Sequence, residues 1–395
     1  MLKRLGATEV VIALLPTMQM AFTGITQLPA TARTRRLRRK VPISTVLFGI
    51  APLGWVGMGV AAGTLGPDRP ELAVVGVLVC GALGNLFMGA ANPVWSDITA
   101  RLYPENRRGL AAAVLWGVMG LFGVLAGLYA RHVLAEVPYP YNFARLLIIA
   151  GILASVGSQF LWFAREYVPN AQTPQTGPGS YVGLLKERWQ SDARLRRFVG
   201  ARALYDIGAP VSVFYAVHAI DRLALTDVSA GTFTLVISGA GILGGLFLGT
   251  LGDRRGYRRV VGWGMILLLA ATILAILADS MGLFMLVFLL QGMAQTGIYM
   301  GTMNFLIEAT KDKSDCATPM AMFSTMMLPV WMVAPLVMGL LAERISMPTA
   351  LCAGGLAQLL GWVALISFVD DPRRPGQRVL SWPATGLRSL FRPGG

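Results

Sequence analysis

Two charged side chains stand where charge is costly. Arg202 and Asp206 lie four residues apart in an otherwise apolar stretch near 198–220, with Tyr205 between them and Tyr215 and His218 beyond. That spacing puts guanidinium and carboxylate on one helical face. A carboxylate this deep in a membrane segment is a functional candidate by default. Two chemistries stay open: Asp206 takes up and releases a proton, or Arg202 neutralises it locally. Other apolar stretches also carry polar groups: Asn85 and Asn92 in one, and Gln291, Gln295, Tyr299, Thr302 and Asn304 in another, with Glu308 just after. Gln291, Gln295 and Thr302 share roughly one face, with Tyr299 near it. Enzymatic signatures are wanting: no His-Glu-x-x-His pair, no Ser-Lys or Asp-Asp constellation and no Gly-x4-Gly-Lys phosphate loop. Cys80, Cys316 and Cys352 lack metal-ligand spacing, and His132 and His218 are the only histidines. Neither a cofactor nor a metal is expected, and ATP is not the chain's own energy source.

The elements that must position these groups follow from composition. Hydrophobic residues make up 55% of the chain, charged ones 14%, and mean hydropathy is +0.60. A soluble chain averages roughly 25% charged residues, so the solvent here is lipid. Eleven stretches reach the ~20 apolar residues a spanning helix needs: 9–31, 41–64, 71–96, 109–130, 142–164, 198–220, 229–252, 260–278, 281–307, 317–342 and 347–369. Sorting the 34 Lys and Arg onto alternate sides of these spans puts 26 on one side and 6 on the other, with 2 inside spans. Cytoplasmic loops carry the basic excess, which predicts a multi-pass protein of the inner (cytoplasmic) membrane with its C-terminus in the cytoplasm. The net charge of +14 is therefore topological and no nucleic-acid partner is expected. A signal-peptide reading of Met1 to Ala32 fails on a long apolar region interrupted by Thr17, Gln19, Thr23 and Gln27.

A basic loop occurs twice. Gly249-Thr-Leu-Gly-Asp253-Arg254-Arg-Gly256-Tyr-Arg258-Arg259 joins two spans, and Thr34-Arg-Arg-Leu-Arg-Arg-Lys40 holds the same place about 219 residues earlier. Thr8-Glu9-Val10 and Thr226-Asp227-Val228 match before the preceding spans, and Gly89-Ala-Ala-Asn92 is echoed by Gly301-Thr-Met-Asn304. A carboxylate such as Asp253 at a span's end can meet the partially positive start of another helix. The first copy has Thr34 in its place, while Asp312 and Asp315 precede the span at 317–342 and could cap it. Gly241, Gly245 and Gly249 recur every fourth position, a spacing that lets membrane helices approach closely; plain helix packing accounts for it, and a rocking interface requires the same close approach.

Residues 249–259 resemble the loop signature of the major facilitator superfamily (MFS), Gly-x-Leu-x-Asp-Arg-x-Gly-x-Arg-Arg. Trp95, Pro104 and Arg107-Arg108-Gly109 resemble a bacterial branch of it without an assigned substrate. The resemblance covers the whole chain and implies an all-α integral membrane fold of two helix bundles. The eleven spans then count as helices 2–12 of a twelve-helix pattern, with the first expected before Met1. It implies an N-terminal bundle at 1–164, a cytoplasmic linker at 165–197 with an interfacial helix (Tyr181, Leu184, Leu185, Trp189), a six-helix bundle at 198–369 and a tail at 370–395. It also implies that Asp253 locks onto the helix starting at Arg108, that Gly256 allows the turn and that Arg258 and Arg259 act as anchors. The spans at 71–96, 198–220 and 281–307 would line the cavity. Arg202, Tyr205, Asp206, Asn85, Asn92, Gln291, Gln295, Tyr299, Asn304 and Glu308 thereby become candidates for the solute or proton pathway. The expected function is secondary transport of a small solute by alternating access, as a monomer and with protons as the coupling ion common in the family. The alternative is a degenerate or receptor-like relative that does not transport. Typical multidrug antiport is weakened because the span at 71–96 holds no basic residue and Gly117-Val-Met-Gly120-Leu-Phe-Gly123 lacks the Gly-Pro signature.

Overall fold

The computed structural model describes residues 1–34, 37, 39–102, 108–164, 189–190, 192–226, 228–309 and 317–372, with the backbone alone at 28, 31, 32, 96, 97, 99–102, 108–116 and 317–321. Where lipid offers no hydrogen-bond partner, a spanning backbone must satisfy itself, and the helix does so within one segment. Accordingly, the described residues form α1 (Glu9–Thr34), α2 (Val41–Ile50), α3 (Leu53–Leu65), α4 (Pro70–Leu102), α5 (Arg108–Glu136), α6 (Tyr141–Gln159), α7 (Ala193–Gly208), α8 (Tyr215–Leu223), α9 (Val228–Arg255), α10 (Tyr257–Leu277), α11 (Met281–Ala309), α12 (Ala317–Arg344) and α13 (Met347–Phe368). Among them are eleven segments long and apolar enough to cross a membrane.

Two of the expected spans are broken, and proline is the reason. Pro52 separates α2 from α3, and Pro210 sits in a 3-10 turn (Ala209–Phe214) between α7 and α8. Proline cannot donate to the helical ladder and its ring clashes with the preceding turn. The Arg202 stretch is therefore two short helices about an irregular centre, which leaves the Ser212 carbonyl able to accept from another helix.

Within the first half, α1 and α3 pack on α4, and α3 on α6; within the second, α9 and α10 pack on α11, and α7 and α10 on α13. Two helix pairs join the halves, α1 with α12 and α5 with α9. Both seams are built on glycine. A Cβ at Gly127 would lie 2.8 Å from the Leu235 Cα, and one at Gly231 would lie 2.6 Å from the Arg131 N. On the other seam, a Cβ at Gly339 would lie 2.6 Å from the Ala13 Cβ. Gly241, Gly245 and Gly249 serve helix packing within one half. They face α11 of their own half: a Cβ at Gly241 would lie a tight 3.2 Å from the Thr296 Oγ1, and those at Gly245 and Gly249 an ordinary 3.7 and 3.6 Å from the Thr296 Cγ2 and the Met300 Cε. The glycines that permit close approach across the halves are Gly127 on α5, Gly231 on α9 and Gly339 on α12.

Several expectations fall outside the described residues: most of the 165–197 linker with its interfacial helix, most of the tail, Arg35, Arg36 and Arg38 of the first loop copy, Pro104 to Arg107, and Asp312 and Asp315. The α5–α9 seam is directly testable. Gly127→Val should force the helices apart and destabilise by about 1–3 kcal/mol, read as a lowered melting temperature in detergent. Gly117→Ala, where a Cβ meets nothing within 4 Å, should leave it unchanged.

Candidate functional site

Asp206 is 5% and Arg202 6% exposed. The Arg202 Nη2 donates to the Asp206 Oδ2 at 2.9 Å, and the Trp331 Nε1 on α12 donates to the same oxygen at 2.8 Å. The structure thus contains the local pair and adds a third member that sequence spacing had not revealed. Trp331 lies 125 positions away; the only hint was a lone indole N–H in an apolar span, a group that needs a partner when buried. The guanidinium also sits 5.7 Å from the Tyr205 ring centre. One turn away, Phe198 stacks on Phe305 of α11 (4.3 Å between ring centres) and tilts against Phe323 of α12 (5.7 Å). Phe323 meets Trp331 edge-on at 6.0 Å. The pair therefore lies where α7 faces α11 and α12, between an aromatic layer and the indole. Arg202 Nε and Nη1 are buried with no hydrogen-bond partner among the described residues.

The other polar candidates do not converge on this point. Asn85 Nδ2 and Asn304 Nδ2 fold back onto their own helices, to the Gly81 and Met300 carbonyls at 2.8 and 2.9 Å. Gln291 is buried and its Nε2 reaches the Ser212 carbonyl at 3.5 Å. Gln295, Tyr299 and Met303 form an exposed stripe along α11. Asn92 and Glu308 are half-buried on α4 and α11. Tyr215 belongs to a separate buried network: its hydroxyl meets the Thr272 Oγ1 at 2.6 Å, Thr272 donates to the Gln358 Oε1 at 2.8 Å, and the Gln358 Nε2 donates to the Gly208 carbonyl at 3.1 Å. That chain ties α7, α8, α10 and α13 together within one half.

The basic loop divides its duties. Gly256 has φ +88°, a conformation that L side chains rarely adopt, and it starts α10. The Asp253 Oδ1 accepts from the Tyr257 hydroxyl at 2.7 Å. The side chain of Arg108 lies outside the described residues. Arg254 is exposed and Arg259 half-exposed. Arg258 departs from the anchor role: it is 3% exposed, and its Nη2 donates to the Leu365 and Ile366 carbonyls at 3.2 and 2.8 Å. It caps the last turn of α13, where a cation is favoured, although the Leu365 carbonyl also accepts from the Val369 N–H at 3.3 Å.

The opposite end of the bundle carries contacts between the halves that the sequence reading missed. Glu343, in the last turn of α12, accepts from the backbone N–H of Val10 at 3.0 Å, in the first turn of α1. This is a carboxylate meeting a helix start, the chemistry expected of Asp253, on the other seam and at the other end. Lys3 pairs with Asp221 across the halves and with Glu9 at 3.4 Å. Partial burial works against the Lys3 ammonium, but the Asp221 hydrogen bond and the charges of Glu9 and Asp221 outweigh it and hold its pKa above the ordinary 10.5. The lysine therefore stays charged throughout the neutral range.

Sequence comparison matches the Major Facilitator Superfamily model over residues 1–216 and 198–394. The chain belongs to the Major Facilitator Superfamily. No curated protein matches it at a significant level. Solved structures of similar fold include the nucleoside transporter NupG (12% identity, 93% of this chain and 92% of that one, TM-score 0.67). The xylose transporter XylE of E. coli aligns at 15% identity over 93% and 89% of the two chains (TM-score 0.64). The human organic anion transporter MFSD10 aligns at 14% over 90% and 83% (TM-score 0.62).

In this MFS protein the buried pair should behave as one unit. Arg202→Met alone should cost about 3–5 kcal/mol by stranding Asp206, and Trp331→Phe about 1–2 kcal/mol. The Arg202→Met/Asp206→Leu double variant should regain most of the first loss. Unfolding in mixed detergent micelles would check this, and additive losses would show that the two residues are not coupled.

Proposed function

We propose that this protein is a secondary transporter that moves a small solute across the cytoplasmic membrane as a monomer, by rocking the bundles at 1–164 and 198–369 about a site near mid-membrane. One observation carries the reading: among the described residues the two halves meet along two glycine-built seams, α1 with α12 and α5 with α9, bridged at one end by exposed polar contacts. The seams run from Gly231 against Arg131 to Gly120 beside Ile242, and from Gly339 against Ala13 to Gly24 beside Leu328. Glu343 and Lys3–Asp221 bridge the same end. The basic-loop excess supports calling that end external and the C-terminus cytoplasmic.

The bridges have magnitudes suited to a gate. A carboxylate at an exposed helix start contributes about 0.3–1 kcal/mol, and an exposed ion pair about 0–1 kcal/mol. Closure of that size is reversible, and alternating access needs two states within a few kcal/mol of each other. Asp253 is read as the corresponding lock at the cytoplasmic end, engaged when the protein opens outward. Asp206, held by both Arg202 and Trp331, is read as part of the solute site rather than as a free proton carrier. The exposed stripe of Gln295 and Tyr299 is read as pathway lining.

Labelling tests the gate. In a background without Cys80, Cys316 and Cys352, a cysteine replacing Ala13 should be protected from an impermeant maleimide applied outside. Adding Glu343→Gln and Asp221→Asn should raise its labelling roughly two- to thirty-fold, the factor corresponding to about 0.3–2 kcal/mol. Unchanged labelling would discard the gate, and reaction only from the cytoplasmic side would invert the orientation.

A further inference from the structure

We infer that the solute carries an oxyanion, a carboxylate or a phosphate, and that Arg202 is the residue that recognises it. The inference deepens the transport reading and rests on it only for the solute's passage, not for its binding. A guanidinium has five N–H donors and no way to shed its charge. Here one donor, on Nη2, meets Asp206, while Nε and Nη1 are buried without a partner among the described residues. A buried charged donor left unmade is a standing cost in any folded state. The arrangement persists most economically if something outside the chain completes it in part of the cycle. Asp206 does not use up the group: both its recorded donors converge on Oδ2, and Trp331 supplies one of them.

The surroundings say more about the missing acceptor. A planar fork matches a planar or tetrahedral oxyanion in a bidentate manner, which an uncharged hydroxyl cannot reproduce. Arg202 stands about 6 Å along α7 from Phe198, where the apolar stretch begins, at 1.5 Å per residue. A dissolved anion and an anionic lipid headgroup share the chemistry at that depth, and the zwitterionic and anionic lipid arms of the test separate them. The guanidinium lies beside the Tyr205 ring, and Trp331 donates to its partner Asp206. Aromatic surroundings of this kind suit a solute with an apolar body and a charged end, and an organic anion fits that description better than an inorganic one.

Thermal stability of the full chain in zwitterionic lipid and detergent tests this, with matched pairs as probes. Phenylacetate, indole-3-acetate and succinate would each be set against its primary amide, and glucose 6-phosphate against glucose. At least one acid should raise the melting temperature by about 2–4 °C at saturation while its neutral partner does not. Arg202→Lys should retain part of the shift. Arg202→Gln/Asp206→Asn keeps the pair neutral and hydrogen-bonded, so it should fold and lose the shift entirely. Stabilisation by the neutral partners, a shift that survives in the double variant, or no shift from any pair (water alone completing the arginine) would overturn the inference. Anionic lipid that stabilises in place of all four acids would do so too. Failure of the transport reading looks different: acids would still bind through Arg202, but loss of Glu343 and Asp221 would leave maleimide labelling unchanged.

Discussion

No water in the hydrocarbon core can pair with a charge, and that constraint decides where the ionisable groups of this chain lie. Of the Lys and Arg, 26 of 34 collect in loops on one side. The exceptions inside the fold are each held by something specific. Asp206 has Arg202 and Trp331, and Arg258 has the terminal carbonyls of α13. Arg202 and Arg258 each keep two buried nitrogens without partners among the described residues, but Arg202 does so within a span, beside Asp206 and Trp331, rather than at a helix end. In a medium that leaves no charge cheaply unsatisfied, that position makes Arg202 the most informative feature of the second half.

The same medium supplies no hydrophobic drive between helices, so the seams depend on shape. Gly127, Gly231 and Gly339 let backbones meet, and the polar bridges at that end are few and weak. This separates two kinds of contact. Networks inside one half, such as Tyr215–Thr272–Gln358–Gly208, are buried and span several helices. Among the described residues, contacts between the halves are glycine surfaces or exposed polar bridges.

The internal repeat relates the two seams. α1 and α9 follow the two matched Thr-acid-Val segments, and each packs across the halves, against α12 and α5 respectively. The carboxylate-to-helix-start chemistry recurs with the pattern but changes partner and end. Asp253 bonds Tyr257 beside the basic loop, while Glu343 reaches Val10 at the far end. The first copy of the loop, which carries Thr34 where the second has Asp253, keeps its basic residues and with them the topology.

Much of this was legible in the residues themselves. Span number, fold class and family followed from apolar length and one loop motif, because a lipid solvent reduces the local choice to helix and a short motif needs no partner. The Arg202–Asp206 contact was visible for the same reason, since four residues make neighbours on any helix. Proline positions foretold the breaks only in hindsight, because proline in a membrane helix is often tolerated. What spacing could not supply was everything joined across distant sequence. Trp331 on Asp206, Glu343 on Val10 and Lys3 on Asp221 span 125, 333 and 218 positions. For a related reason the glycine stripe could be read as helix packing without its partner: periodicity says which residues share a face, not which helix that face meets. Sequence alone determined the solvent, the helices and where charge could be afforded; only the tertiary structure decided which charges meet, since helices of similar apolarity have no local code for their neighbours.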